Sequence, residues 1–134
     1  GEGVLLNRLK NKVVELNLKN INFTGGIPNP ESIISKSSIF VSIQTYNNYP
    51  SQSLIEAMAC GNAIVASDVG ETRLLVTEKE GILVQLTAES IANGIMKLLE
   101  NKEACKLIGE NARNKVLEEQ SIEKFIEYFI KITS

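Results

Sequence analysis

The sequence predicts an α/β fold, in which a parallel sheet carries helices on both of its faces. Short apolar runs that suit buried strands alternate along the chain with stretches of helical periodicity. Such alternation implies parallel strands joined by right-handed helical crossovers. The strands are expected at residues 21–24, 39–43, 63–66 and 81–84, the last three being rich in β-branched and apolar residues. From residue 87 onward the pattern is helical only, so the C-terminal end is expected to be helical.

Four helices are predicted before residue 87. Apolar residues at helical spacing indicate a first helix over residues 3–17. A short second helix opens at Asn29-Pro30-Glu31, where Asn suits the cap and Pro the first helical position. A third helix covers residues 53–60 and ends at Gly61, a favourable C-terminal cap. The fourth is short and spans residues 70–76.

The last predicted helix has the clearest apolar stripe in the sequence. Its members follow the i, i+3, i+4, i+7, i+8 pattern and are Ile122, Phe125, Ile126, Phe129 and Ile130. We interpret the stripe as a packing surface rather than a membrane anchor, and expect part of it to be uncovered in this chain.

Composition and charge restrict the classes of partner. The chain has 134 residues, enough for one domain with a real core, and a net charge of −2 without a basic run. Nucleic acid binding is therefore disfavoured. There is no apolar run of eighteen residues and no signal-peptide pattern, so a cytoplasmic location is expected. The opening Gly1-Glu2-Gly3, without an initiator Met, suggests a piece of a longer protein.

Cysteine and histidine usage limits the chemistry. The sequence contains no His and two Cys, Cys60 and Cys105, on separate predicted helices. A zinc site of the usual kind and a Ser-His or Cys-His pair are therefore not expected. A single disulfide is one interpretation, but two reduced thiols are favoured for a cytosolic protein.

The ligand site is predicted from the topology. In open parallel sheets ligands bind beyond the carboxyl ends of the strands, which here places them at loops 24–28, 44–53 and 67–71. The loop 44–53 leads into a helix, whose free N–H groups and dipole suit an anion. A phosphate or diphosphate would lie against Ser51, Gln52 and Ser53.

Glu56 has two interpretations. With Ser53 it matches the capping-box pattern, in which its carboxylate would bond back to the Ser53 N–H. Alternatively, the carboxylate accepts hydrogen bonds from a vicinal diol, as acids in dinucleotide-binding folds do with ribose. Spacing alone favours the cap.

The segment from residue 48 to residue 70 resembles the retaining GT-B glycosyltransferases of family 4, also called group 1. Their C-terminal domain carries an acid, seven residues and a Glu, followed by Ala-Met-Ala-x-Gly and a buried strand. The matching residues are Pro50, Leu54, Glu56-Ala57-Met58-Ala59, Gly61 and the run from Ile64 to Gly70. Phe23-Thr24-Gly25 fits the family's short strand that ends in a Gly.

The resemblance covers nearly the whole chain. It implies that residues 1–134 are the Rossmann-like, nucleotide-sugar-binding half of a GT-B enzyme. The N-terminal acceptor domain and the first strand of this half would lie outside the chain. The Arg and Lys with which the family clamps the diphosphate would also lie upstream of Gly1.

The resemblance also implies site residues. Glu56 would bind the ribose hydroxyls, and the amides around Ser51 to Ser53 the diphosphate and sugar. Tyr49 and Pro50 belong to the same binding loop, and the aromatic ring could stack on the ligand or simply pack in the loop. The turn of Gly25, Gly26 and Ile27 would lie against the base.

Asn48 departs from the family pattern, because it occupies the position of the first acid of the catalytic pair. An Asn can hydrogen-bond a sugar hydroxyl but cannot stabilise developing positive charge. Asn47 and Asn48 could equally serve as turn residues. Sugar preference or activity is therefore expected to differ from that of relatives with an acid there.

Two further charged residues lie near the predicted site. Asp68 follows a strand and is expected to cap the helix that begins near Gly70 rather than to contact the ligand directly. Arg73 is expected to form a surface ion pair with Glu71 or Glu78 rather than to reach a phosphate.

The implied function is retaining sugar transfer from a UDP-, GDP- or ADP-sugar donor to a glycan or lipid-linked acceptor, as in polysaccharide biosynthesis. No metal or other cofactor is expected. The complete enzyme could associate peripherally with a membrane, and the isolated piece is expected to bind nucleotide weakly without transfer. Two alternatives remain: a non-catalytic α/β binding or regulatory module, with Glu56 as a cap, and one half of a sugar-nucleotide epimerase.

Overall fold

The computed structural model describes residues 2–133, and the chain divides between Pro30 and Glu31 into two compact units. The first unit contains helix α1 (Leu6–Glu15). The second contains three strands and six helices within the described residues. These are α2 (Glu31–Ile34), β1 (Ile39–Ser42), α3 (Gln52–Ala59), β2 (Ala63–Ser67), α4 (Thr72–Leu75), β3 (Gly81–Val84), α5 (Ala88–Glu100), α6 (Lys102–Glu119) and α7 (Ile122–Thr133).

The predicted strand at residues 21–24 is wrong. This segment of the first unit is not part of any ladder, and the sheet's three strands all belong to the second unit. β-Branched residues favour an extended backbone, but a strand exists only where a neighbour accepts and donates its main-chain hydrogen bonds. Within residues 2–133 no neighbour pairs with this segment.

The sheet is parallel, as predicted, with the strand order β1-β2-β3. Ile39 pairs with Ala63 at the start of β1, and Ile64 pairs with Gly81 at the start of β3. Every residue of the central strand β2 is buried. The carboxyl ends of all three strands consequently meet at one edge, which is where the loops of interest begin.

Successive residues of β2 enter two different cores. Ile64 and Ala66 pack with side chains of α3, α4 and α6, whereas Ala63 and Val65 pack with side chains of β3, α5 and α6. This alternation is the two-residue period of a strand. Helices therefore cover both faces of the sheet, as the sequence predicts.

The C-terminal end of α3 is closed by a Schellman motif. Gly61 adopts φ +82°, and its N–H donates to the Met58 carbonyl at 2.9 Å, while the Asn62 N–H donates to the Ala57 carbonyl at 3.1 Å. The predicted Gly61 cap is confirmed. Helix α6 approaches the turn so closely that a Cβ on Gly109 would overlap the Gly61 carbonyl oxygen.

The apolar stripe of α7 is exposed in the structure. Its five members have relative accessibilities between 49% and 65%, and the Phe125 and Phe129 rings stack with centroids 6.3 Å apart. Each member thus keeps about half or more of its side-chain surface accessible, in line with the expectation that part of the stripe is uncovered in this chain. Among the described helices, none combines the length and apolarity needed to cross a membrane.

Candidate functional site

A buried hydroxyl fastens the loop after β1 to the end of β2. The Ser67 side chain, only 1% exposed, donates to the Gln44 carbonyl and accepts from the Gln44 N–H, both at 2.8 Å. Both main-chain groups of Gln44 are thereby satisfied by one side chain. The loop consequently leaves the sheet from a defined point.

A second tie joins the tips of the same two loops. The Asn47 side chain accepts from the Glu71 N–H at 3.3 Å and donates to the Glu71 carboxylate at 3.4 Å. Gly70 lies under this contact with φ +51°, and a Cβ there would overlap the Asn47 side chain. Glycine is required at this position both by its backbone conformation and by the space available. The interpretation of Asn47 as a mere turn residue is therefore incomplete.

Helix α3 begins directly after this loop. Ser51 is the N-cap residue, and the first helical hydrogen bond runs from the Ile55 N–H to the Ser51 carbonyl at 3.0 Å. The N–H groups of Gln52, Ser53 and Leu54 have no acceptor within residues 2–133. Three unsatisfied donors at the positive end of a helix can bind an anion.

The Ser51 side chain makes other contacts instead of capping the helix. It is 5% exposed and accepts from the Gln44 side-chain amide at 3.2 Å, while its oxygen lies 3.4 Å from the Ser53 hydroxyl. The same Gln44 amide lies 3.4 Å from the Ser42 hydroxyl. Gln44 and Ser67 are not among the site residues predicted from the sequence; their position within two residues of the strand ends was the available signal.

A small cavity opens between these loops and the start of α3. Asn48 and Tyr49 lie on its wall beside Ser51, and the Tyr49–Pro50 peptide bond is cis. The remaining lining residues are Ser42, Gln44, Leu54, Ser67, Thr72 and Leu75. The structure thus brings Asn48, Tyr49 and Ser51 of the predicted site together at one cavity.

The capping-box interpretation of Glu56 is wrong. Because the N-cap is Ser51, Glu56 is the fifth residue of the helix, whereas a capping box needs the acid at the third, which is the buried Leu54. The Glu56 side chain is exposed and has no hydrogen-bond or ion-pair partner among the described residues. Its proposed contact with ribose remains a prediction.

The predicted base-contacting turn lies in the first unit. Gly25 adopts φ +66°, and the Gly26 N–H donates to the Glu2 carboxylate at 3.4 Å. Ile27 is partly exposed, at 37%. The contact of these three residues with a base remains a prediction.

The predicted cap by Asp68 is wrong, whereas Arg73 forms the predicted surface ion pair but with a different acid from the two expected. The Arg73 Nη2 atom lies 2.6 Å from each carboxylate oxygen of Asp68. Asp68 does not cap α4, because that helix begins at Thr72 with Glu71 as its N-cap residue. Glu71, one of the two partners predicted for Arg73, is instead engaged by Asn47. The hydrogen bond and charge of Asp68 raise the pKa of Arg73.

Both cysteine thiols are free. Cys105 is buried beneath the sheet, its Sγ lying 3.8 Å from the Ser38 carbonyl oxygen, and burial raises the pKa of its thiol. Within residues 2–133 no three His, Cys, Asp or Glu side chains are grouped as a metal site would need.

The sequence is similar to those of known glycosyltransferases. Residues 1–115 match the family described as glycosyl transferases, group 1. An uncharacterised glycosyltransferase of Methanocaldococcus jannaschii is 35% identical over 98% of this chain and 35% of its own length. A UDP-Gal:α-D-GlcNAc-diphosphoundecaprenol α-1,3-galactosyltransferase of Escherichia coli is 28% identical over 95% of this chain and 33% of its own length.

Solved structures also share the fold. The structure of Anabaena HepE in complex with UDP-glucose superposes with a TM-score of 0.85 at 20% identity, covering 96% of this chain and 36% of that one. The structural neighbours of this chain are GT-B glycosyltransferases, and its parallel sheet flanked by helices is the corresponding Rossmann-like architecture. The chain spans about a third of the length of the curated relatives it matches. With the family matched over most of its residues, this chain belongs to the group 1 glycosyl transferases.

Proposed function

We propose that this chain binds the nucleotide-sugar donor of a retaining glycosyltransferase, and that residues 1–134 are the donor-binding domain of that enzyme. The observation that carries the proposal is the start of α3. Three N–H groups there lack an acceptor within the described residues, beside a cavity walled by Asn48 and Tyr49. The acceptor would be a glycan or a lipid-linked saccharide bound by another part of the enzyme.

The free amides suit the leaving group of the reaction. As the bond between sugar and diphosphate breaks, negative charge grows on the diphosphate oxygens. Donors already aimed at that position stabilise the charge without reorganising. The amides of Gln52, Ser53 and Leu54 are held by the helix and by the two ties that anchor the preceding loop. This half of the site therefore contributes by positioning and electrostatics.

Glu56 is the group we assign to the ribose. Its carboxylate is exposed one helical turn beyond the free amides, and it has no partner among residues 2–133 that would have to be displaced. An ionised carboxylate accepts from both hydroxyls of a vicinal diol. The alternative function, a non-catalytic module with Glu56 as a cap, loses its main argument because that cap is not formed.

A uridine nucleotide is the donor class that the comparisons favour. The E. coli relative uses UDP-Gal, and Anabaena HepE was solved with UDP-glucose. We therefore propose a UDP-hexose donor in preference to a GDP- or ADP-sugar. Asn48 would hydrogen-bond a hydroxyl of the hexose, since its amide is exposed on the cavity wall.

Calorimetric titration of the complete protein with UDP, GDP and ADP tests the proposal. We expect UDP to bind most tightly, and Glu56→Gln to weaken that binding about 10- to 100-fold, as loss of a charged hydrogen bond implies. Glu118→Gln is the matched control, because Glu118 is also an exposed helical acid. No binding of any nucleotide, or equal effects of the two substitutions, would refute the proposal.

A further inference from the structure

The N-cap of α3 differs from the N-caps of the two long helices α5 and α6. Thr87 caps α5 by accepting from the Ser90 N–H at 3.2 Å, and Asn101 caps α6 by accepting from the Ala104 N–H at 2.9 Å. Ser51 has the extended backbone of a cap residue, with φ −77° and ψ 113°, and a side chain of the preferred type. It nevertheless makes no capping bond.

The Ser51 hydroxyl is instead contacted by Gln44. Its side-chain amide donates to the Ser51 hydroxyl at 3.2 Å, and the hydroxyl, 5% exposed, has the Ser53 oxygen as its other neighbour at 3.4 Å. The Gln44 main chain cannot shift easily, because Ser67 holds both its N–H and its carbonyl at 2.8 Å. The side chain therefore starts from a fixed point and reaches the N-cap residue from the sheet.

We propose that Gln44 is a positioning residue that holds the Ser51 hydroxyl away from the amides of α3, so that the Ser53 and Leu54 N–H groups stay available for the donor diphosphate. This inference rests on the proposed function and adds a specific device to it. Without the Gln44 amide, the Ser51 side chain is free to rotate and cap the helix. A phosphate group would then have to displace an internal acceptor before binding.

The substitution Gln44→Leu tests the proposal, because it removes the side-chain amide at similar size and leaves the main-chain bonds to Ser67. The first measurement uses no ligand: hydrogen exchange of the complete protein, resolved to single amides. We expect the Ser53 and Leu54 amides to exchange about fivefold more slowly in the variant, as a cap worth about 1 kcal/mol implies. Unchanged exchange would overturn the assignment of Gln44.

The second measurement is the affinity for UDP, with a rescue. We expect Gln44→Leu to weaken UDP binding about fivefold, because the new cap competes with the diphosphate. Adding Ser51→Ala removes the competing hydroxyl and should return most of that affinity. A merely structural defect of the loop would not be rescued. Gln85→Leu, an exposed Gln directly after β3, is the matched control and should bind UDP normally.

The outcomes separate this proposal from the function on which it rests. A double variant as weak as Gln44→Leu alone would overturn the positioning role. A complete unsubstituted protein that binds none of UDP, GDP and ADP would refute the proposed function and the ligand part of the inference. In that case the amide exchange would still decide whether Gln44 keeps the helix uncapped.

Discussion

Replacing Ser67 by Ala is the most direct test of how the site loop is anchored. The Ser67 hydroxyl is 1% exposed and makes two hydrogen bonds of 2.8 Å, one to each main-chain group of Gln44. Ala keeps the Cβ and removes only the oxygen. The loss is therefore confined to the two bonds and to the two groups they satisfy.

The expected loss can be worked from those two groups. A main-chain N–H or carbonyl left without a partner costs about 1–3 kcal/mol when it is buried. Gln44 is partly buried, so water can reach its N–H and carbonyl once the Ser67 hydroxyl is removed. The cost for each group should therefore lie toward the lower end of that range. We expect Ser67→Ala to lower the free energy of unfolding by about 2–4 kcal/mol.

Urea denaturation of the complete protein, followed by circular dichroism, measures this loss. Ser37→Ala is the matched control, because the Ser37 hydroxyl is exposed and makes one bond, to the Ile33 carbonyl at 3.1 Å. The control should change stability by about 0.5 kcal/mol or less. Equal midpoints for the two variants would refute the view that Ser67 anchors the loop.

Three further predictions follow from packing, charge and burial. Gly109→Ala should gain about 1 kcal/mol of helix propensity yet lose about 1–3 kcal/mol net, because its Cβ overlaps main chain. Gly94→Ala meets side-chain methyl groups of Val84, Val65 and Ile82 instead and should cost less, which a comparison of denaturant midpoints will show. Lys115→Met removes the cation that lies 3.7 Å from the 7%-exposed Glu80 carboxylate, so we expect it to lower the free energy of unfolding by about 2–3 kcal/mol and to lower the melting temperature. An unchanged melting temperature would contradict this. Burial raises the pKa of Cys105, so the thiol of the native protein should be alkylated more slowly at pH 8.5 than the thiol of the unfolded protein; equal alkylation rates would contradict this. Stability should also fall as the pH rises past about 9, because the thiol of the unfolded protein ionises first.

Much of the site could be predicted because its signals are local. Gly61 ends α3 as predicted, since a helix that is followed by glycine closes through bonds spanning five residues. The binding loop could be located because parallel strands bring their carboxyl ends to one edge. The role of Glu56 was harder to predict, because Glu56 belongs both to a capping-box pattern with Ser53 and to the family's motif. Choosing between them required the position of the N-cap, which lies at Ser51 rather than Ser53.

The sequence by itself determined the α/β class, the parallel arrangement of the strands and the family. It also located β1, β2 and β3 to within a residue or two. These follow from periodicity, caps and a motif, all of which act over a few neighbouring residues. The tertiary structure decided that residues 21–24 are not a strand and that Arg73 pairs with Asp68. It also decided that Gln44 is held by Ser67, a residue 23 positions away. Such contacts depend on which loops the assembled sheet places side by side, and no local pattern encodes that placement.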